Sequence, residues 1–161
     1  MEAGTAPLLR SKLITVEVNG VAYERELEAR RLLIHFIRDD LGLTGSHVGC
    51  DTGNCGACSM LVDGTLVKSC MMLAVQTDGA TIETVEGLAE EGELSALQQS
   101  FSAHHALQCG YCTPGMLMSA TALLRKKPNP SEAEIRKAIQ GNICRCTGYV
   151  NIVEAIKAVA E

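Results

Sequence analysis

Eight cysteines in the chain fall into two groups of four, and each group has a spacing suited to metal ligation. The first group reads C-x4-C-x2-C with a fourth cysteine further on, a spacing typical of plant-type 2Fe-2S clusters. The second group joins a C-x2-C pair to a C-x-C pair. The predicted ligands are Cys50, Cys55, Cys58 and Cys70 at a first site, and Cys109, Cys112, Cys144 and Cys146 at a second site. Two sites in one short chain indicate electron transfer, because a structural metal would need only one.

Glycines surround the first three cysteines of the first site. Gly45, Gly49, Gly53 and Gly56 all lie in this segment. A loop with few side chains can wrap closely around a cluster and direct backbone N–H groups at its sulfur atoms. The segment CDTGNCGAC therefore predicts a cluster-binding loop, which Cys70 closes from the strand region that follows.

Spacing alone does not decide which metal the second site binds, since tetrahedral thiolate cages suit both zinc and iron-sulfur clusters.

Disulfide bonds between these cysteines are not expected. The first ten residues lack the apolar core of a secretory signal, and no apolar run approaches the length of a membrane span, which predicts a cytoplasmic protein. Cysteines in the cytosol stay reduced, and a bridge between Cys144 and Cys146, one residue apart, would be strained.

The elements that must position the first site are strands and one helix. Residues 13–18 and 21–27 flank Asn19-Gly20, a two-residue turn, and so predict a hairpin. Apolar residues recur at helical intervals from residue 31 to residue 41, and Gly42 is expected to end this helix. Further strands are predicted at residues 59–62, 66–68 and 80–85.

The second site is expected on helices. Residues 94–107, 114–124, 131–139 and 150–159 favour helix, and Ser131 with Glu134 has capping-box spacing. Each cysteine pair then lies between two helices, so that both pairs meet at one end of a small four-helix bundle. The acidic segment 86–93 separates the two parts, which predicts a plant-type 2Fe-2S ferredoxin-like domain at 1–88 and a helical domain with the second metal site at 89–161; the family resemblance described below makes the latter a 2Fe-2S-binding domain.

The composition narrows the class of partner. The net charge is −5 and the chain has no basic run, which excludes a typical nucleic-acid interface. With three Tyr, two Phe and no Trp, the core must be built from aliphatic side chains. A docking protein is the expected partner.

Three motifs together resemble the iron-sulfur subunit of the molybdenum hydroxylases, the xanthine oxidase and aldehyde oxidoreductase family. They are CDTGNCGAC with Cys70, QCGYCTPGM at residues 108–116 and GNICRCTGY at residues 141–149. The resemblance extends from about residue 13 to residue 160. It implies an α+β chain, with an N-terminal ferredoxin-like β-grasp domain and a C-terminal four-helix bundle, each carrying one 2Fe-2S cluster.

The same resemblance implies partners and cofactors that the chain itself lacks. Molybdenum with molybdopterin would lie on a large subunit and FAD on a medium subunit, with two heterotrimers forming a heterohexamer. Electrons would pass from molybdenum to the second site, then to the first site and on to FAD. Gln108 and Cys146 would lie beside the pterin, although Gln108 taken alone fits a solvent-exposed amide. No residue of this chain is expected to be catalytic. The complex would be cytoplasmic or associated with the inner face of the membrane.

Within the family, residues 32–52 and 94–116 resemble most closely the small subunit of aerobic carbon monoxide dehydrogenase. That resemblance would imply a Mo/Cu centre with molybdopterin cytosine dinucleotide on the large subunit. Small subunits for aldehyde or N-heterocycle oxidation are similar, since an electron relay does not record what a distant pocket binds. An independent two-cluster ferredoxin and a zinc-binding interaction module are the remaining alternatives.

Other side chains near the cysteines receive lesser roles. His104 and His105 favour packing over metal ligation, His47 is expected to shape the loop, and His35 is assigned no function. Arg145 lies between two predicted ligands, where a cation would stabilise a reduced cluster.

Overall fold

The protein is described by a computed structural model covering residues 10–89 and 92–160. The described part is α+β, as predicted: a five-stranded sheet with the strand order β2-β1-β5-β3-β4 is followed by a run of helices. The first nine residues and residues 90–91 of the predicted boundary segment lie outside the described residues. No helix in the described ranges combines the length and the apolar character needed to cross a bilayer.

The sheet begins with the predicted hairpin, which is confirmed. Strand β1 (Ser11–Val18) pairs antiparallel with β2 (Val21–Glu28). The turn residues Asn19 and Gly20 have φ values of 51° and 79°, which suits a type I′ turn with positive φ at both positions. Alternate residues of β1 face the core, so this strand anchors the sheet.

Three further strands complete the sheet. Strand β3 (Ser59–Val62) forms a second hairpin with β4 (Thr65–Lys68), and β5 (Thr81–Glu83) lies between β1 and β3. Strand β5 is shorter than the predicted 80–85 because the chain turns into a 3-10 helix at Val85–Leu88. The β3–β4 hairpin matters for the site, since cysteines precede its first strand and follow its second.

One face of the sheet is covered by the helix predicted after residue 31. Helix α1 (Leu33–His35) continues as a π-helical turn at Phe36–Asp40. The apolar positions of this segment are fully buried: Leu33, Ile34, Phe36 and Ile37 each have 0% exposure. Together with the inward side chains of the sheet, they form a first hydrophobic core.

Four helices follow the sheet. They are α2 (Ala96–Ala103), α3 (Thr113–Lys126), α4 (Glu132–Ile139) and α5 (Val150–Lys157). The predicted capping box is present: Ser131 Oγ accepts from the Glu134 N–H at 3.4 Å, and the Glu134 carboxylate accepts from the Ser131 N–H at 2.8 Å. Helix α2 is shorter than predicted, because His105 has a φ of 51° and interrupts the helical backbone.

The helices build a second core that reaches back to the sheet. Helix α2 packs on α5, α4 packs on both α3 and α5, and α3 also lies across β3. Leu61 of β3 consequently belongs to the second core. An exposed ion pair of Arg125 with Glu83 joins α3 to β5. The two halves are therefore packed against each other, with both cysteine sites near their junction.

Candidate metal centres

The first site is assembled by the β3–β4 hairpin and the loop that precedes it. Cys58 directly precedes β3, and Cys70 lies in a 3-10 turn directly after β4. Ser69 fixes this arrangement, since its hydroxyl donates to the Cys58 carbonyl at 2.7 Å. The thiols of Cys58 and Cys70 consequently lie within hydrogen-bonding reach of each other.

The loop brings the other two thiols of the first site together. The Cys50 sulfur accepts hydrogen bonds from the backbone N–H groups of Cys55, at 3.3 Å, and Thr52, at 3.4 Å. The Cys55 N–H first, and then the hydroxyl and N–H of Thr52, lower the pKa of Cys50 to about 6. Backbone N–H groups aimed at sulfur, which the glycine-rich sequence indicated, are thus present around the Cys50 thiol.

Gly49 shows how tightly this loop closes. A Cβ atom at this position would lie 2.9 Å from the Cys55 sulfur, well inside van der Waals contact. A side chain there would displace a predicted ligand. The glycine is therefore required by close approach of the backbone to the thiol.

The buried thiols of the first site resist ionisation as long as no cation is near. Burial raises the pKa of Cys55, and burial followed by the neighbouring Cys58 thiol raises the pKa of Cys70 to about 11. Metal ligation requires thiolates, and a bound metal's positive charge supplies the compensation that burial removes. Only Cys50 is prepared as a thiolate at neutral pH among these three.

The second site lies where two inter-helix turns meet. Cys109 and Cys112 precede α3, while Cys144 and Cys146 lie between α4 and α5. The sulfur atoms of Cys109 and Cys146 are 3.5 Å apart, and the thiols of Cys112 and Cys144 also contact each other. Cys112 is the N-cap residue of α3, where the helix dipole favours a negatively charged group.

The thiols of the second site also differ in acidity. Burial, with a further effect of the Cys144 thiol, raises the pKa of Cys112 to about 12. Burial also opposes ionisation of Cys144, but hydrogen bonds from the hydroxyl and backbone N–H of Thr147 outweigh it and lower the Cys144 pKa. Contact with Cys109 raises the pKa of Cys146.

Both sites present their thiols as two pairs. All eight cysteines are free, and the contacts between thiols join them in pairs at each site. A 2Fe-2S cluster takes four cysteines, two on each iron, so paired donors fit it better than they fit a single zinc ion. The donor sets of both sites therefore fit a binuclear cluster, including the second site, where spacing alone left zinc open.

Hydrogen bonds connect the two sites directly. The Ile143 N–H, next to Cys144, donates to the carbonyl of Cys55 at 2.8 Å. The Asn142 side chain, only 4% exposed, donates to the Gly56 carbonyl at 3.1 Å and accepts from the Ser119 hydroxyl at 2.8 Å. The sequence analysis gave Asn142 no role; the signal that could have found it is an amide two residues before the predicted ligand Cys144.

Gly115 of α3 allows this close contact. A Cβ atom at Gly115 would lie only 2.1 Å from the carbonyl oxygen of Gly56, which is backbone and cannot swing aside. Helix α3 can approach the first-site loop only because this position has no side chain. The junction between the sites is therefore closely packed backbone.

Tyr111, between Cys109 and Cys112, forms a second bridge to the first-site loop. Its ring stacks on His47 with centroids 4.6 Å apart, and its hydroxyl donates to the Val48 carbonyl at 2.7 Å. The His47 Nδ1 atom lies 2.9 Å from the Tyr111 carbonyl oxygen. His47 thus joins the loop to the second site, beyond the loop-shaping role predicted from sequence.

The remaining histidines lie in ordinary surroundings. His104 Nδ1 contacts the hydroxyl and carbonyl oxygens of Ser100 within its own helix, and His35 faces Asp39 at 3.4 Å. The His105 carbonyl accepts from the Asn151 side chain. His104 and His105 are both exposed.

The second site opens to the surface. Cys109 and Cys146 are exposed, as are Gln108 and Arg145 beside them. A cavity of about 200 Å³ lies at the second site. Its lining includes four second-site cysteines together with Cys55, Gly49, Ala57, Tyr111, Ile143 and Arg145. The exposed side chains of Tyr111 and Ile143 give this rim an apolar character.

Two family models match the chain. The model described as "2Fe-2S iron-sulfur cluster binding domain" matches residues 16–89, and the model described as "[2Fe-2S] binding domain" matches residues 84–157. Each match contains all four cysteines of one site.

Relatives match over nearly their whole length. The caffeine dehydrogenase subunit gamma of Pseudomonas sp. (strain CBB1) is 52% identical over 155 residues, covering 94% of this chain and 93% of the relative. The nicotine 6-hydroxylase small subunit of Paenarthrobacter nicotinovorans is 53% identical over 143 residues, covering 89% and 86%. The crystal structure of quinoline 2-oxidoreductase from Pseudomonas putida 86 aligns with a TM-score of 0.91 at 47% identity, covering 94% and 93%.

Proposed function

Because the chain belongs to the iron-sulfur small subunits of the molybdenum hydroxylases, we propose that it relays electrons between a molybdenum-pterin centre and FAD on partner subunits. The family predicted from the cysteine motifs is thereby confirmed, as is the role of the chain as a subunit of an oxidoreductase complex. The relay rests above all on one observation. Two sets of paired thiols are joined by a hydrogen bond between the Cys55 carbonyl and the Ile143 N–H.

Each site is proposed to hold one 2Fe-2S cluster, which takes up and releases one electron at a time when bound. At the first site Cys50 and Cys55 would share one iron, while Cys58 and Cys70 would share the other. At the second site the pairs would be Cys109 with Cys146 and Cys112 with Cys144. These assignments follow the thiol pairs that lie in contact.

The chain's own atoms supply the route between the sites. One connection runs from Cys144 along the backbone to the Ile143 N–H, across 2.8 Å to the Cys55 carbonyl, and so to a predicted first-site ligand. Backbone groups held in fixed contact need no rearrangement when an electron passes. We propose that electrons travel this way from the second site to the first site, and then to FAD.

The exposed end of the second site is the proposed face for the molybdenum subunit. Cys109, Cys146 and Gln108 are all exposed there. Gln108 and Cys146 are proposed to contact the pterin, as the family resemblance implies. We further propose a large molybdenum-binding subunit and a medium FAD-binding subunit, assembled as a cytoplasmic dimer of heterotrimers. We also propose that the sheet with its helix is a β-grasp domain, that the four helices form a bundle, and that the domain boundary lies between residues 88 and 89.

For the substrate of the complex we propose a nitrogen heterocycle. Caffeine, nicotine and quinoline, which the names of the three relatives contain, are nitrogen heterocycles. None of these three is a carbon monoxide dehydrogenase by name, so they lend no support to the carbon monoxide assignment that the sequence suggested first. The N-heterocycle alternative predicted beside it fits them better.

Purification of the native complex tests the relay. We expect the chain to copurify with molybdenum and flavin at fixed stoichiometry, and the reduced complex to give two distinct 2Fe-2S signals in electron paramagnetic resonance (EPR) spectra. A stable protein that carries both clusters without any partner would contradict the subunit proposal and support an independent ferredoxin. A colourless, zinc-containing chain would contradict both.

A substrate panel tests the second proposal. The purified complex would be offered caffeine, nicotine, quinoline, an aromatic aldehyde and carbon monoxide, with reduction of the clusters followed by their visible absorbance. Reduction by a heterocycle is the expected result. Reduction by carbon monoxide alone would overturn the proposed substrate class and leave the relay proposal intact.

A further inference from the structure

Lys68 places a positive charge against the loop of the first site. Its ammonium group donates to the Gly53 carbonyl at 2.6 Å, and Gly53 lies between Cys50 and Cys55. Lys68 is the last residue of β4 and pairs across the hairpin with Ser59, next to Cys58. The lysine therefore contacts the loop that carries one thiol pair and belongs to the hairpin that carries the other.

We infer that the ammonium group of Lys68 sets the reduction potential of the first site by holding a positive charge against its loop. This inference rests on the proposed function, because it assumes a 2Fe-2S cluster held by the first-site cysteines. Lys68 lies outside the three cysteine motifs, and the sequence alone gave it no role in electron transfer.

The contact of Lys68 acts on the site in two ways. The ammonium group holds the Gly53 carbonyl and so ties the end of β4 to the loop between Cys50 and Cys55, which helps to fix that loop. The positive charge also acts through space. Reduction adds one negative charge to the cluster, and a nearby cation in a partly buried position stabilises that added charge. The cation therefore favours the reduced state.

The surroundings leave this charge largely uncompensated. The segment from Cys50 to Cys55 contains one acidic residue, Asp51, whose side chain is exposed. Lys68 is half-buried, and the ion pairs found within residues 10–89 and 92–160 do not include it. The charge is therefore directed at the loop without being neutralised by a carboxylate.

The position of the ammonium group favours the first site over the second. A Cβ atom built on Gly141 would lie 3.6 Å from the Lys68 nitrogen, so the charge also lies near the chain leading to Cys144. Gly141 is three residues from that cysteine, however, whereas Gly53 belongs to the first-site loop itself. Stabilising a reduced first site more than a reduced second site would draw electrons forward, towards FAD.

The test is a redox titration of the full chain carrying both clusters, followed by EPR so that each site reports its own potential. In Lys68→Met, we expect the ratio of reduced to oxidised first-site cluster at a fixed solution potential to fall about tenfold. For a one-electron couple this ratio corresponds to a reduction potential lower by about 59 mV. The second-site potential is expected to move less. Lys68→Gln removes the charge but keeps an N–H donor for the Gly53 carbonyl. Its first-site potential is expected to fall by a similar amount.

Two matched variants complete the experiment. Lys68→Arg keeps the charge and should retain the wild-type potential, while Lys137→Met removes an exposed lysine of α4 and should leave both potentials unchanged. An unshifted first-site potential in both neutral variants would overturn the inference. Loss of the first-site cluster from both would also overturn it, because Lys68 would then be needed for assembly. Absence of 2Fe-2S signals in the wild-type chain would instead contradict the proposed function.

Discussion

The two cysteine sites differ in how the chain builds them. The first site takes three ligands from one short loop and the fourth from the end of a hairpin, so most of its geometry is local. The second site takes a pair from each of two inter-helix turns that are more than thirty residues apart in sequence. Its geometry depends on the packing of α3 against α4 and of α4 against α5.

The sites also differ in what they show to solvent. At the first site Cys58 and Cys70 are buried, whereas at the second site Cys109 and Cys146 are exposed. A relay needs an exposed end to exchange electrons with a partner and a sheltered connection within the chain. At the second site Cys144 is buried as well, so the exposed thiols there are those of one pair, Cys109 and Cys146, which is the end proposed above to face the molybdenum subunit.

The largest expected effect is the loss of one cluster while the other is kept. Cys112→Ser should abolish the second-site EPR signal and stop electron transfer to FAD, because one iron loses a ligand. The first-site signal should persist if the loop folds without the second cluster. Cys70→Ser is the reciprocal control: the first-site EPR signal should be lost and the second-site signal should be kept. Loss of both signals in Cys112→Ser would show that the sites are not independent.

A second prediction compares how fast the individual thiols react with iodoacetamide in the apoprotein. Circular dichroism must first show that the apoprotein remains folded. Cys50, with its pKa lowered to about 6, is a thiolate at pH 7, whereas Cys70 and Cys112 have pKa values raised to about 11 and about 12. Iodoacetamide should therefore label Cys50 faster, by on the order of tenfold or more. Mass spectrometry of the labelled peptides measures the order. Because the Cys50 pKa is lowered, its labelling should persist down to about pH 6 and decline below it.

A third prediction concerns the junction between the sites. Asn142→Ala removes the acceptor of the buried Ser119 hydroxyl and one hydrogen bond to the Gly56 carbonyl, which Ser59 continues to satisfy. The unpartnered Ser119 hydroxyl should cost about 1–3 kcal/mol of stability. Thermal unfolding of the loaded chain measures this loss, and Asn129→Ala, at an exposed position, is the control. Magnetic coupling between the clusters should also change. A variant as stable as wild type would show that Asn142 does not hold the halves together.

The smallest expected effect lies far from both sites, at the start of α4. Lys127, followed by Ser131, lowers the pKa of Glu134 from 4.5 to about 2. A depressed pKa means that ionised Glu134 stabilises the fold above pH 4.5, and that this contribution disappears as the pH falls towards 2. Glu134→Gln should lower the melting temperature slightly at pH 7 and not at pH 2. An equal change at both pH values would rule out the charge as the cause.

The local elements followed closely from sequence, because each has a strong local cause. The Asn19-Gly20 turn, the Ser131 cap and the alternation of β1 are all short-range patterns. Helix ends were less predictable. Residues 104–107 continue the helical pattern of α2, yet the chain leaves the helix at His104 to bring Cys109 towards Cys146.

The sequence by itself determined which residues can carry the chemistry, since eight cysteines at these spacings have few other uses, and it also indicated the family. It could not reveal that the Ile143 N–H meets the Cys55 carbonyl, that Gly115 admits the Gly56 backbone, or that Lys68 holds Gly53. Those contacts join residues from separate elements, and only packing of α3 against the sheet brings them together. Spacing along the chain determines ligand sets, whereas the coupling between two sites depends on distances through space, which the tertiary structure alone decides.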